Sequence, residues 1–233
     1  MLKKLLIKTY KNARELNDSF VIESIKKFGP FESVLDVGCW DGELTLEYSK
    51  AAEAKRILGI ENDKSIENSA KDKGIEVSFL EADKDRWPIE DESLDCVVSN
   101  QVIEHLTDVD HFLSESNRVL KKGGYLITST NNLGSWHNIW ALVFGWAPFD
   151  LSNASKKGLG IGNPLSANKG GSIDGASGIH KCIYTPYWLF EWQKLYGFEK
   201  VNHFGSGLYP LPSIFGNIFK KNAAFMILTV RKI

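Results

Sequence analysis

Asp36-Val37-Gly38-Cys39-Trp40-Asp41-Gly42 follows a short apolar run and leads into Glu43-Leu44-Thr45. Glycine lets a backbone approach a ligand closely because no Cβ intervenes. In open α/β sheets, ligands sit beyond the carboxyl ends of the strands. Asp36 and Asp41 would repel an anionic pyrophosphate, and no G-x-G-x-x-G is present. A ligand carrying positive charge suits them better. Glu61 ends the run Arg56–Ile60, where an acid can accept hydrogen bonds from sugar hydroxyls. Asp83 follows Val77–Ala82, where a carboxylate can accept an exocyclic amine, with Trp87-Pro88-Ile89 as an apolar wall beside it. Taken one at a time, each acid reads equally well as a surface residue opening a turn.

These residues need a scaffold, and the pattern supplies one. Short β-rich runs at Val34–Val37, Ile57–Ile60, Val77–Leu80, Leu94–Ser99 and Tyr125–Ser129 alternate with helical patterns. That alternation predicts an α/β fold with a mostly parallel sheet covered on both faces. The first 30 residues read as a helix ending at Gly29-Pro30, with Leu16, Phe20, Ile22, Ile25 and Phe28 as its apolar stripe. A further helix is expected over Val109–Leu120, stopping at Gly123-Gly124, and another over Pro186–Tyr196, followed by strands near Glu199–Phe204 and Phe225–Val230. Between Asn132 and His180 the regularity breaks. Five aromatic residues (Trp136, Trp140, Phe144, Trp146, Phe149) precede a Gly-, Ser- and Asn-rich run, the composition of an inserted cap or lid.

Composition narrows the classes. A length of 233 residues fits one domain with an insertion. A net charge of −1, with paired lysines scattered among acids, gives no footprint for nucleic acid. Three widely spaced cysteines make neither a disulfide framework nor a Cys/His metal motif, so no metal is expected. No apolar run is long enough to span a bilayer, and the N-terminus lacks the long apolar core of a signal peptide. A cytoplasmic protein is the expectation.

The series VLDVGCWDGELT, LGIEND, FLEADKDRWPI, ESLDCVVSNQVIEHL and NRVLKKGGYLITSTNN resembles the class I S-adenosylmethionine (SAM)-dependent methyltransferases. In particular it is similar to their small-molecule branch, ubiquinone-type and methyltransferase 11/23-like. The motifs run in family order from Ser33 to Asn132, and the tail from His180 through YTPYWLFEWQKLYGFEKV is similar to the segment following the insertion in that branch. The resemblance implies a doubly wound, seven-stranded sheet in the order 3-2-1-4-5-7-6, with strand seven antiparallel and a cap (133–180) after strand five. It also implies SAM as cofactor and S-adenosylhomocysteine as product. Asp36, Gly38, Cys39 and Gly42 would surround the methionine moiety. Glu61, with Asn62 beside it, would meet the ribose. Ala82 and Asp83 would flank adenine, and Asn100 and Gln101 the sulfonium side. Trp40 departs from the pattern, standing where many members have glycine. Either the turn differs there, or Trp40 points out over the pocket.

Methyl transfer from a sulfonium is an in-line displacement whose leaving group needs no acid, so alignment supplies much of the rate. A base is needed only where the acceptor must lose a proton. His105, just beyond the fourth strand, is the first candidate, and a loop-bracing role is the rival reading. His137 and His180 stand second. The expected partner is a small-molecule acceptor, apolar or lipid-linked by the aromatic content of the insertion and of Tyr209–Pro212, although those aromatics could equally pack a cap on the core. A non-catalytic SAM-binding sensor and a nucleotide-dependent oxidoreductase are the alternatives.

Overall fold

A computed structural model describes residues 2–66, 69–70, 72–166, 168–171 and 179–233, with backbone alone for residues 2–7. It is built on one seven-stranded sheet: β1 (Ser33–Val37), β2 (Arg56–Glu61), β3 (Glu76–Phe79), β4 (Leu94–Asn100), β5 (Leu120–Asn131), β6 (Phe198–Ser206) and β7 (Phe225–Lys232). The order is β3-β2-β1-β4-β5-β7-β6, and β7 runs antiparallel to both neighbours. The fold class and strand order implied by the resemblance are those observed.

Apolar residues cover both faces of the sheet, which is why its central strands are mostly apolar and buried. Every residue of β1 is buried. On one face α1 (Leu2–Phe28) and α2 (Glu43–Ala52) pack Phe20, Val21, Ile25 and Tyr48 over Val34, Val98 and Ile127. On the other, α3 (Val109–Val119) and α4 (Pro186–Leu195) pack Phe112, Leu113 and Leu189 over Leu35, Val97 and Leu126. Phe20 stacks on Phe204 at 4.8 Å between ring centroids, joining α1 to the far edge of the sheet.

Two expectations need correction. The buried face of α1 centres on Ala13, Asn17, Phe20, Val21, Ser24 and Ile25, while Leu16, Ile22 and Phe28 lie at its margin. The inward stripe therefore carries two polar residues, and one of them proves important below. The helix α3 stops at Val119 rather than at the glycines, because Leu120 already pairs with Leu94 as the first residue of β5. Gly123, at φ 82°, lies within the strand where the ladder shifts register.

After β5 the chain leaves the sheet. Trp136–Val143 forms a short helix, which the sequence did not announce, and turns follow. Hydrogen bonds hold this segment to itself, with Ala147 N–H on Gly162 O at 2.9 Å and Ile161 N–H on Ser152 O at 3.0 Å. Asn132 anchors its root by donating from Nδ2 to the carbonyls of Lys221 and Ala223. Residues 172–178, part of the expected cap, lie outside the described residues. Among the described residues no helix is long and apolar enough to cross a membrane.

Candidate functional site

The carboxyl ends of β1, β2, β3 and β4 bring the predicted residues to one edge of the sheet. Asp36 pairs in register with Gly59 on one side and Val98 on the other. Its carboxylate is buried and accepts one hydrogen bond, from Thr45 Oγ1 at 2.6 Å. Burial pushes its pKa up to about 7, and nearby Glu61 adds to the rise while Thr45 opposes it.

That carboxyl makes stability pH-dependent in a definite direction. Its folded pKa lies above the unfolded value near 3.8, so its contribution is complete below pH 3.8 and is lost as pH rises to about 7. Asp36→Asn keeps a partner for Thr45 and removes the ionisation. The variant is expected to equal the wild type near pH 4 and to gain on it up to about 4 kcal/mol by pH 8. Denaturant midpoints across that range check this, and parallel curves would refute it.

The turn after β1 is held by β2. Gly38 N–H and Cys39 N–H both donate to Ile60 O, at 2.7 and 3.2 Å. Gly38 has φ 81°, and a Cβ there would lie 2.4 Å from Val102 Cγ2, so the glycine makes room for the loop after β4. Gly42, also at φ 81°, is the N-cap of α2, and a Cβ there would strike Ile75 at 2.4 Å. Trp40 retains the left-handed conformation at φ 46° despite its bulk, with its ring 54% exposed. So the turn keeps its backbone shape, and the indole points outward at the rim. Cys39 is buried, and burial with the nearby carboxylates raises its thiol to about 12. It is therefore no nucleophile.

Glu61 is the best-oriented acid of the group. Trp40 N–H donates to its Oε2 at 3.0 Å, and the N–H groups of Asn62 and Asp63 to its Oε1 at 2.8 and 3.1 Å. Three backbone donors fix the carboxylate and leave it acceptor capacity for hydroxyl groups. The Asn62 side chain is exposed.

Asp83 is buried, and its Oδ2 accepts from the N–H groups of Thr107 and Asp108. Burial alone would raise this carboxyl. The two N–H donors and the Lys181 charge outweigh it and hold the pKa below the ordinary value. Asp83 thus ties the loop after β3 to the loop after β4. Trp87 differs from expectation. At 1% exposure it packs against Phe112 within the core and donates Nε1–H to Ala82 O at 3.1 Å. It supports the Ala82-Asp83 turn from behind rather than lining an open surface.

Asn100 and Gln101 end β4, and their partners come from an unexpected place. Asn17 Nδ2 donates to Asn100 Oδ1 at 3.0 Å, and Asn100 Nδ2 donates to Asp18 and to Tyr48 Oη. Arg14 donates to Gln101 Oε1 at 2.9 Å. Helix α1 therefore closes this edge of the sheet with Arg14, Asn17 and Asp18. Sequence reasoning missed them by treating α1 as an apolar support. The signal was Asn17, a polar residue in the inward stripe.

His105 lies in a single 3₁₀ turn, Ile103–His105, and its Nδ1 is 2.9 Å from Ile179 O. A carbonyl only accepts, so Nδ1 carries the proton and Nε2 keeps a lone pair. Burial holds the imidazole below its ordinary pKa against the pull of Glu104. The structure places His180 beside it, with ring centroids 4.9 Å apart. His137 sits further along the cap, 3.3 Å from Asp150 Oδ2.

Two cavities lie among the described residues, and neither is lined by a predicted cofactor residue. One of about 370 Å³ is walled by Trp136, Trp140, Phe144, Trp146, Phe149 and Tyr209. The larger, about 760 Å³, lies over α4 and β6 around Pro186, Phe190 and His203.

A methyltransferase-domain family matches residues 35–128. This segment matches the methyltransferase-domain family and carries the fold of the SAM-dependent methyltransferase structure compared below. It contains the turn after β1, Glu61, Asp83 and His105. A probable SAM-dependent methyltransferase of Mycolicibacterium smegmatis is 35% identical over 102 residues, covering 42% of this chain and 38% of that protein. The ubiquinone/menaquinone biosynthesis C-methyltransferase of Campylobacter jejuni is 33% identical over 99 residues, covering 40% and 42%. The chain spans less than half the length of the curated relatives it matches. In fold, a SAM-dependent methyltransferase structure from Listeria monocytogenes aligns over 94% of this chain and 97% of its own, with a TM-score of 0.62 at 15% identity.

The donor set fits SAM. A fixed carboxylate at Glu61, a nearly partnerless buried carboxylate at Asp36 and a glycine turn without room for side chains suit a cationic, hydroxyl-bearing adenosyl group.

Proposed function

We propose that this protein transfers the methyl group of SAM to a small apolar or lipid-linked acceptor. The observation that carries the reading is Glu61, a carboxylate held by three backbone N–H groups at the end of β2 in a methyltransferase domain. When bound, SAM supplies an electrophilic methyl group on a positively charged sulfur. The chain's own work is to bind, orient and exclude water. In this reading Glu61 accepts the ribose hydroxyls, with Asn62 beside it, and Ala82-Asp83 borders adenine. Gly38, Cys39 and Gly42 form the floor under the methionine moiety, whose ammonium faces Asp36. Asn100 and Gln101, braced by α1, border the sulfonium side.

The acceptor enters from the cap. The aromatic cavity of about 370 Å³ offers apolar surface for a ring or an acyl chain. His105 is assigned to the acceptor, because it follows β4 at the carboxyl edge of the sheet and its Nδ1 is committed to Ile179, which leaves Nε2 to act. The segment 133–180 serves as the cover over the transfer step. Incubation with methyl-labelled SAM and a library of quinols, phenols and lipid-linked acceptors, read by mass spectrometry, tests the reading. Label on an apolar acceptor is expected. SAM binding without transfer to any class would favour a sensor instead.

A further inference from the structure

Just after β4, Glu104 and His105 converge with His180 so that one ligand atom from each lies within 4.8 Å of the others. The two histidines share an arrangement. His105 Nδ1 is 2.9 Å from Ile179 O, and His180 Nδ1 is 2.6 Å from Asp150 O. Both partners are backbone carbonyls, so both rings carry the proton on Nδ1 and present a bare Nε2 lone pair. A carbonyl holding Nδ1–H in this way is the arrangement that orients histidines on metals. Glu104 is 1% exposed. Its Oε2 accepts from Thr130 Oγ1 at 2.7 Å, whereas its buried Oε1 has no partner among the described residues. An orphaned buried carboxylate oxygen costs free energy unless something positive meets it.

The backbone holds the cluster together. Lys181 N–H and Cys182 N–H both donate to Glu104 O, at 2.7 and 3.4 Å, which pins the returning cap strand alongside the 3₁₀ turn. His180 is therefore delivered to its place by main-chain bonds.

We infer that Glu104, His105 and His180 form a binding site for a divalent transition-metal ion. Two imidazoles and one carboxylate suit ions of zinc, cobalt, iron or manganese type rather than calcium. A tetrahedral site with bonds of about 2.1 Å separates its ligand atoms by about 3.4 Å, so side-chain rotations of about an ångström close the cluster. Three protein ligands leave at least one position open, the mark of a catalytic rather than a structural site. The binding itself rests on these three side chains alone. The ion's role, to ligate an acceptor oxygen and lower its pKa, rests on the methyltransferase reading. His105 then acts on the acceptor through the ion.

The test uses the full chain, stripped with a chelator and titrated with Co²⁺ by visible absorption and calorimetry, with SAM affinity measured on the same samples. One equivalent of Co²⁺ is expected to bind and produce d–d absorption, and Zn²⁺ to displace it. Glu104→Gln and His180→Ala should each weaken Co²⁺ binding by about 100-fold or more, while His111→Ala, on α3, leaves it unchanged. The absence of d–d absorption and heat from the wild type overturns the inference. So does unchanged binding in both Glu104→Gln and His180→Ala. SAM binding without Co²⁺ binding defeats the metal site alone, and the converse defeats the methyltransferase reading alone.

Discussion

Replacing His105 by alanine is expected to lower turnover about 10²–10⁴-fold, equivalent to about 2.7–5.5 kcal/mol of transition-state stabilisation. SAM affinity should stay within about twofold, because the hydrogen bonds that hold the predicted cofactor residues Asp36, Glu61 and Asp83 do not involve His105. The substitution also removes the bond from Nδ1 to Ile179 O, worth about 1 kcal/mol of stability. The two consequences separate the roles. A residue that only braces the loop would show the loss of stability with turnover near normal. Steady-state kinetics on the acceptor found by the labelled-methyl screen, with a melting curve, decides between them.

The second large effect concerns the support beneath the adenine-side loop. Arg118 Nε and Nη2 make a two-pronged pair with Glu115 at 2.7 Å each. Arg118 also donates to the carbonyls of Trp87 and Ile89, while Glu115 accepts from Trp87 N–H. One ion pair thus satisfies both backbone groups of Trp87 and ties the chain after β3 to α3. Both side chains are largely buried, at 17% and 9% exposure. Arg118→Ala would leave the Glu115 carboxylate enclosed without its cation, a change that costs about 3–5 kcal/mol. For a domain of this size that lowers Tm by roughly 6–20 °C. Arg118→Lys keeps the charge but loses the fork and should fall between. A melting temperature within 2 °C of wild type, about the shift expected for 1 kcal/mol or less, would show that the pair carries no such burden.

The frame of the molecule was legible because its signals are local. Short apolar-rich runs at Val34–Val37 and Leu94–Ser99 read as buried strands, and glycines punctuate the turns between elements. The acids at strand ends followed from the same logic, since a strand end fixes position without any long-range information. What stayed hidden depends on contacts between distant parts of the chain. Asn17 had no visible partner in the sequence until β4 placed Asn100 against it. His180 had no visible relation to Glu104 and His105 until main-chain bonds from Lys181 and Cys182 brought it there. Trp87 was misjudged because apolarity alone does not separate a pocket wall from a core residue. Trp40 was left open between two readings, and the turn resolved it by keeping φ at 46° with the indole outside.

The central claim is that Glu61, at the end of β2, is the carboxylate that recognises SAM. Titration calorimetry of SAM into the wild type and into Glu61→Ala, with folding checked by circular dichroism, tests it most directly. The account predicts saturable binding to the wild type and a loss of about 1–3 kcal/mol, roughly 5- to 150-fold in Kd, in the variant. Equal affinity in a folded Glu61→Ala protein, or no SAM binding by the wild type, would contradict it.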